Sequence, residues 1–277
     1  MNQPIGIMQG RLVPPVNGRI QAFPNVRWRD EFALAQKAGL QAIEWIYDLE
    51  DADTNPLATE EGISEIRQLS RMHGVSVKSL CADYFMARTL IRAAPAEKAQ
   101  RLERLVWLLG RCRVCGIERV VLPFVDSSKI ASQQDEDEAV EVLEAVQDDL
   151  DRLKMEIHLE TSLSPEDFHR LLARLGHPRI RVNYDSGNSA SLGYAPRQEW
   201  AAYGSRIGSV HIKDRLLGGG TVPLGTGNTD FKALFQAIRD FQFNGPWILQ
   251  VARGEPGDEL AWAAQNKTFL LSWLAKT

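Results

Sequence analysis

The stretch KMEIHLETS, residues 154–162, carries the pattern from which the fold can be inferred. Every second residue in its centre is apolar, which is the alternation of a β-strand with two different faces. The segment SPEDF, residues 164–168, follows at once, with serine placed as a helix N-cap and proline at the first helical position. The two stretches predict a strand that leads into a helix, with Glu160 near the carboxyl end of the strand.

The same strand-then-helix unit occurs eight times along the chain. Between the strands lie amphipathic helical patterns, several of which end at a glycine (Gly39, Gly74 and Gly116). Eight such units in 277 residues predict a (β/α)₈ TIM barrel, an α/β fold, as a single domain over residues 1–277. A doubly wound sheet is the alternative, but the turn after the first strand lacks the GxGxxG spacing. The predicted strands are 5–10, 42–47, 75–83, 119–124, 155–160, 180–185, 207–214 and 246–251.

Composition excludes several classes of protein. The chain is 44% hydrophobic and 25% charged, with a net charge of −4, which favours neither a nucleic-acid-binding nor a membrane-binding surface. It contains no apolar run of 18 residues and no signal-peptide pattern, so we expect a cytoplasmic protein. The three cysteines do not form a disulfide framework. Cys112 and Cys115 form a CxxC inside a helical pattern, where a packing role is favoured over a zinc site.

Polar residues stand at the carboxyl ends of most predicted strands. In a (β/α)₈ barrel the active site forms at these ends, so the last inward position of each strand is a candidate. A single polar residue there is more often a loop start or a helix cap than a functional group. His158 is expected to be a hydrogen-bonded histidine of the barrel interior, although it remains a candidate. The strand-end candidates are Gln9, Glu44, Asp83, Glu160, Asp185, His211, Lys213 and Gln250.

Glu160, Asp185 and His211 form a distinctive set because they end three consecutive strands. Two buried carboxylates repel each other, and each is costly to bury alone. A divalent cation removes both penalties. Two carboxylates, an imidazole and a further oxygen suit Mn²⁺, Mg²⁺, Co²⁺ or Zn²⁺, whereas a structural zinc site favours thiolates. The sequence therefore predicts a divalent-metal site, with Glu160 as a ligand that can also act as a base.

Several motifs give the chain a resemblance to a known family over nearly its whole length. They are HLETS (158–162), NYDSGNSASLGY (183–194), SVHIKDR (209–215), VPLGTGNTDFKALFQAI (222–238) and PWILQVARG (246–254). Through them the chain resembles the xylose isomerase-like TIM barrels, which include sugar and sugar-phosphate isomerases and epimerases. Endonuclease IV shares this barrel, but its metal cluster uses many histidines, whereas this chain has five histidines in all and a net negative charge.

The resemblance implies a metal held by Glu160, Asp185 and His211, and a proton shift beside a sugar carbonyl in which Glu160 moves the proton. In the family a second glutamate from the last strand completes the metal site, and Gln250 stands in its place here. We expect Gln250 to be a neutral oxygen ligand that cannot act as a second base. Asn188 is another departure, because similar ketose epimerases often carry a substrate-contacting histidine there.

The sequence is compatible with three functions: sugar isomerisation or epimerisation, dehydration of a keto-sugar or keto-inositol, and sugar binding without catalysis. If a second base does exist, His158 or Asp83 is the residue to test. The expected partner is a small sugar or sugar phosphate, with no nucleic acid or membrane, and the chain forms either a monomer or a homo-oligomer.

Cationic residues near the strand ends suggest an anionic substrate. They would contact a phosphate at the mouth of the barrel, unless they pair with the loop acids Asp214, Glu255 and Asp258. These cations are Arg11, Lys213, Arg215 and Arg253. The remaining predicted substrate contacts are Gln9, Glu44, Asp83, His158 and Asn188.

Overall fold

A closed barrel of eight parallel strands forms the centre of the protein in the computed structural model, which describes residues 3–275. The barrel closes where the first strand pairs with the last, through three residue pairs that begin with Ile5 and Trp247. The predicted (β/α)₈ architecture is confirmed. The barrel strands are β1 (Ile5–Met8), β2 (Ala42–Ile46), β3 (Ser76–Cys81), β4 (Arg119–Phe124), β5 (Glu156–Thr161), β6 (Ile180–Asp185), β7 (Ile207–Ile212) and β10 (Trp247–Leu249).

Helices surround the barrel and pack their apolar faces against its strands. Helix α7 begins as the sequence predicts, because Ser164 Oγ accepts a hydrogen bond from the backbone N–H of Asp167 and Pro165 is its first residue. The helices are α1 (Asp30–Lys37), α2 (Glu60–His73), α3 (Tyr84–Ala87), α4 (Pro95–Cys115), α5 (Gln133–Ala145), α6 (Gln147–Leu153), α7 (Pro165–Leu175), α8 (Ser186–Leu192), α9 (Pro196–Tyr203), α10 (Phe231–Asp240) and α11 (Glu259–Leu274).

The structure differs from the sequence prediction in the segments near the barrel mouth. The predicted seventh strand, 207–214, ends at Ile212, and the chain then forms an antiparallel hairpin of β8 (Asp214–Arg215) and β9 (Thr221–Val222). Elsewhere, between β4 and β5, the chain forms two consecutive helices, because the backbone of Val146 leaves the helical conformation between α5 and α6. The short helices α3 and α8 were not predicted, because neither segment has the apolar periodicity of a packed helix.

The core lies between the barrel and its helices. Cys112 and Cys115 are both buried on α4 and belong to this core, in agreement with the packing role expected for the CxxC. Within residues 3–275, no helix has both the length and the apolar character needed to cross a membrane. Because all eight barrel strands are parallel, their carboxyl ends lie on one face of the barrel, and the candidate site forms there.

Candidate active site

Glu160, Asp185 and His211 meet at the carboxyl ends of β5, β6 and β7. One ligand atom from each of them lies within 4.8 Å of the other two, and all three residues are buried. His211 Nδ1 is 3.2 Å from Glu160 Oε2 and 3.8 Å from Asp185 Oδ2. The parallel register of the barrel brings these side chains together, since Asp185 pairs directly with His211.

The imidazole of His211 is fixed from behind by Glu44 on β2. His211 Nε2 donates to Glu44 Oε1 over 2.6 Å, and both side chains are fully buried. Burial alone would lower the pKa of His211, but Glu44, Asp185 and Glu160 outweigh it and hold this pKa well above its usual range. Among the described residues, Nδ1 lies close to the carboxylates of Glu160 and Asp185 but makes no well-aligned hydrogen bond with either of them. This is the arrangement of a metal-binding histidine with a supporting carboxylate.

Two asparagines hold the carboxylate of Glu160. Asn188 Nδ2 donates to Oε1 over 2.7 Å, and Asn183 Nδ2 donates to Oε2 over 2.8 Å. The side-chain oxygen Oδ1 of Asn188 in turn accepts hydrogen bonds from Lys213 Nζ and from Arg215 Nη1. Asn188 therefore links the carboxylate to both cations.

Helix α8 positions Asp185 and Lys213. Asp185 is the N-cap of the helix, since its Oδ1 accepts from the backbone N–H of Asn188 over 2.8 Å. Lys213 Nζ lies 3.3 Å from the other carboxylate oxygen. Burial would raise the pKa of Asp185, but Lys213 and His211 outweigh it and lower this pKa to about 2. Gly187 lets Lys213 cross the helix, because a Cβ at this glycine would lie 2.6 Å from Lys213 Cγ.

Gln250 follows β10 and points into the mouth, as its strand parity predicts. Its Oε1 accepts from Lys213 Nζ over 3.0 Å, and its Nε2 donates to Gln21 Oε1 over 3.1 Å. Gln21 also donates to Asp83 Oδ2 over 2.8 Å. The amide of Gln21 thus joins the last strand of the barrel to the end of β3.

A cavity of about 510 Å³, a size that suits a small molecule, is lined by Glu160, Lys213 and Gln250. A second cavity of about 410 Å³ adjoins it, and Asn188 and Arg215 line both. The polar residues that line the first cavity are Arg11, Gln21, Asp83, Asp126, Glu160, Asn188, Lys213, Arg215, Thr221 and Gln250.

The structure places three of the predicted substrate contacts below the mouth of the barrel. Gln9 is fully buried, and its Oε1 accepts from the backbone N–H of Ile46. Glu44 is covered by His211, so it supports that histidine and cannot reach a substrate. His158 is enclosed in the barrel interior, where its ring bonds to Ser209 Oγ over 2.7 Å and to Glu156 over 2.9 Å.

Arg253 is also placed differently from the prediction. It donates to the backbone carbonyls of Val13 and Ile20 in the first βα loop, and does not line the cavity. Arg11 lines the cavity, but it too donates to a backbone carbonyl, that of Val251. Lys213 and Arg215 are therefore the cations best placed to meet a ligand.

Gln21 is the site residue that the sequence did not indicate. It lies in the irregular segment between β1 and α1, where no strand or helix periodicity marks which side chains turn inward. Its role depends on contacts with Asp83 and Gln250, which are 62 and 229 residues away along the chain. No local sequence pattern signals such contacts.

Comparisons with known proteins identify the family and the fold of the chain. The family model of the xylose isomerase-like TIM barrel matches residues 32–273. The L-ribulose-5-phosphate 3-epimerase UlaE of Escherichia coli is 24% identical over 260 residues, which are 90% of this chain and 90% of that protein.

Two solved structures are similar over nearly their whole length. The zinc-bound IolI protein superposes with a TM-score of 0.78 and 17% identity, over 99% of this chain and 98% of that one. D-allulose 3-epimerase from Methylomonas sp., in complex with D-allulose, superposes with a TM-score of 0.73 and 18% identity, over 98% and 96%. At these identities the superpositions establish the shared fold.

Proposed function

Because the chain belongs to the xylose isomerase-like TIM barrel family, we propose that it is a divalent-metal-dependent isomerase or epimerase of a sugar or sugar phosphate. The observation that carries the proposal is the buried Nδ1 of His211, which faces the carboxylates of Glu160 and Asp185 without a well-aligned hydrogen bond, next to the cavity that Glu160 lines. A nitrogen and two carboxylates fit Mn²⁺, Mg²⁺, Co²⁺ or Zn²⁺.

In this proposal Glu160, Asp185 and His211 hold the cation, and Gln250 Oε1 supplies a fourth ligand through its second lone pair. A cation bound there would polarise a substrate carbonyl and stabilise the negative charge that develops on deprotonation. Glu160 is the base that removes the proton beside the carbonyl, and its two asparagine partners orient it for that step.

The anionic end of the substrate is assigned to Lys213 and Arg215. Both line the cavity, and Arg215 also borders the second cavity, which leaves room for a group beyond the reacting carbons. A guanidinium can bind a phosphate with two parallel hydrogen bonds. The resemblance to an L-ribulose-5-phosphate 3-epimerase supports a ketose phosphate as the substrate.

The proposal is tested by solvent-deuterium exchange with a panel of ketoses and ketose phosphates, in the presence of each of the four metals. We expect deuterium at the carbon beside the carbonyl, faster with the phosphates, and a loss of at least about 100-fold in Glu160→Gln. His211→Ala should lose both bound metal and activity. The matched controls Glu166→Gln and His169→Ala change residues on α7, away from the site, and should keep both.

Each alternative predicts a different result in the same experiment. Sugar binding with no exchange would indicate a non-catalytic barrel, and loss of water from a keto-sugar would indicate a dehydratase. Equal metal content in His211→Ala and in the unchanged protein would refute the metal site. Gln250→Glu tests the fourth ligand, since an added negative charge at that position should tighten metal binding.

A further inference from the structure

Asp83 is a second carboxylate in the cavity, and it lies apart from the metal-site residues. It follows β3 and lines the same cavity as Glu160. In the closed barrel β3 is two strands away from β5 and four away from β7, so Asp83 enters the cavity from a different side than Glu160 and from the side opposite His211. A molecule in this cavity would therefore meet the carboxylates of Glu160 and Asp83 from two different directions.

The contacts of Asp83 do not indicate a structural role for its side chain. It precedes α3, yet its side chain makes no capping hydrogen bond to that helix. In the part of the chain that the structure describes, it forms no ion pair. Its carboxylate instead accepts from two neutral donors, Gln21 Nε2 over 2.8 Å and the thiol of Cys81 over 3.1 Å. Neutral donors stabilise the carboxylate less than a cation in an ion pair would, so Asp83 can still take up a proton.

A network of hydrogen bonds connects Asp83 to Gln250, the position at which the family motif has a glutamate. Gln21 donates to Asp83 and accepts from Gln250, so three side chains form one chain of hydrogen bonds across the mouth. Burial raises the pKa of Asp83 to about 6, against the opposing hydrogen bonds from Gln21 and Cys81. Glu160 and Asp48 add to the increase. Near neutral pH such a group exchanges protons readily.

We propose that Asp83 is the second proton-transfer residue of this site and allows epimerisation with Gln250 in place of a carboxylate. The inference rests on the proposed function. Glu160 breaks the C–H bond beside the carbonyl and takes its proton, which leaves an enediolate. The carboxylic acid of Asp83 then delivers a proton to the opposite face of the same carbon, forming the new C–H bond with inversion. Both carboxyl groups return to their starting protonation states by exchange with water.

The test separates proton removal from inversion in Asp83→Asn, with the ketose and ketose-phosphate panel in deuterated water. We expect epimer formation to fall at least 100-fold, while deuterium exchange at the reacting carbon stays within about threefold, because Glu160 still removes and returns the proton on one face. Metal content should be unchanged. A merely structural role would lower exchange and inversion together. The control Asp53→Asn removes an exposed acid from the loop after β2 and should alter neither rate.

Three outcomes would overturn the inference. In the first, Asp83→Asn keeps its epimerisation rate, which leaves the proposed function intact and removes Asp83 from it. In the second, the unchanged protein interconverts an aldose and a ketose but forms no epimer, which indicates a one-base isomerase that relies on Glu160. In the third, the unchanged protein exchanges no substrate proton with any sugar and any metal, and then the proposed function fails together with the role of Asp83.

Discussion

Glu31 is a buried acid outside the cavity, and it links the stability of the protein to pH. It lies on α1, is fully buried, and its Oε1 accepts from the backbone N–H groups of Gly10 and Leu12. Burial raises its pKa to about 8, against the opposing effect of these hydrogen bonds. Since an exposed glutamate titrates at about 4.3, the folded protein holds a proton between these values that the unfolded chain releases.

The sign of the effect follows from this difference in proton binding. The stability that protonated Glu31 contributes is complete below about pH 4.3 and is lost as the pH rises through about 8. Glu31→Gln remains neutral at every pH. We expect its free energy of unfolding to exceed that of the unchanged protein by about 1 kcal/mol at pH 5 and by about 5 kcal/mol at pH 8.5. Urea denaturation at both pH values measures the difference.

A matched control is available on the surface. Glu255→Gln removes an exposed carboxylate from the segment after β10 and should change the free energy of unfolding by less than about 0.5 kcal/mol at either pH. If Glu31→Gln and the unchanged protein lost stability in parallel between pH 5 and pH 8.5, Glu31 would be ionised in the folded state. Protonation of Glu31 would then not explain how stability depends on pH.

At the residue scale, strand parity could predict a site residue from the sequence only if it belongs to a predicted strand. Glu160, Asp185 and His211 were predicted because strand parity and the barrel geometry together place them at the mouth. The same rule predicted Glu44 as a substrate contact, whereas the structure places it behind His211, since parity gives the face of a strand but not the depth in the barrel at which a side chain lies. Gln21 could not be predicted at all, because loops have no parity.

At the scale of elements, helix α8 is where a close backbone approach shapes the site. A Cβ at Gly187 would lie 2.6 Å from Cγ of Lys213 and 3.1 Å from its backbone carbonyl carbon, so the hairpin that begins after Lys213 would have to move. Gly110, in the middle of α4, has open space where its Cβ would be. The two glycines therefore differ in the space available for an added methyl group, and this space decides whether the substitution destabilises the protein.

Substitution of each glycine by alanine should change stability in opposite directions. Gly187→Ala is expected to lower the free energy of unfolding by about 1–3 kcal/mol through overpacking. Gly110→Ala should raise it by about 0.5–1 kcal/mol, because alanine favours the helix and restricts the unfolded chain. Thermal denaturation of the two variants beside the unchanged protein is the measurement. A Gly187→Ala variant at least as stable as the parent would mean that Lys213 does not pack against α8 in this way.

For the whole molecule, the alternation of strands and helices was sufficient to predict the closed barrel, because a chain of eight β/α units buries both faces of its strands in few other ways. The hairpin Asp214–Val222 could not be predicted from strand patterns. It depends on Asp214, whose carboxylate accepts from the backbone N–H groups of Gly225, Gly227 and Thr229. From the sequence, Asp214 was only an alternative partner for the cations near the strand ends.

The closure of the barrel depends on contacts between the two ends of the described chain. Strands β1 and β10 pair over only three residues. Beyond them, Arg253 donates to the carbonyls of Val13 and Ile20, over 2.8 Å and 3.2 Å, and Arg11 donates to the carbonyl of Val251 over 2.9 Å. These bonds attach the first βα loop to the segment after the last strand, so they extend the short seam at which the barrel closes.

Arg253→Ala should therefore weaken the seam and leave the preference for phosphate unchanged. A hydrogen bond from a charged group contributes about 1.5–3 kcal/mol, so we expect the free energy of unfolding to fall by about 2 kcal/mol. Amide hydrogen exchange should become faster in residues 11–21, because the carbonyls that anchor this loop lose their donor. Arg197→Ala, on the exposed side of α9, is the control and should leave exchange in this loop unaltered. Should Arg253→Ala instead abolish a preference for ketose phosphates without faster exchange in the loop, the arginine would be a ligand for the phosphate and the seam would not depend on it.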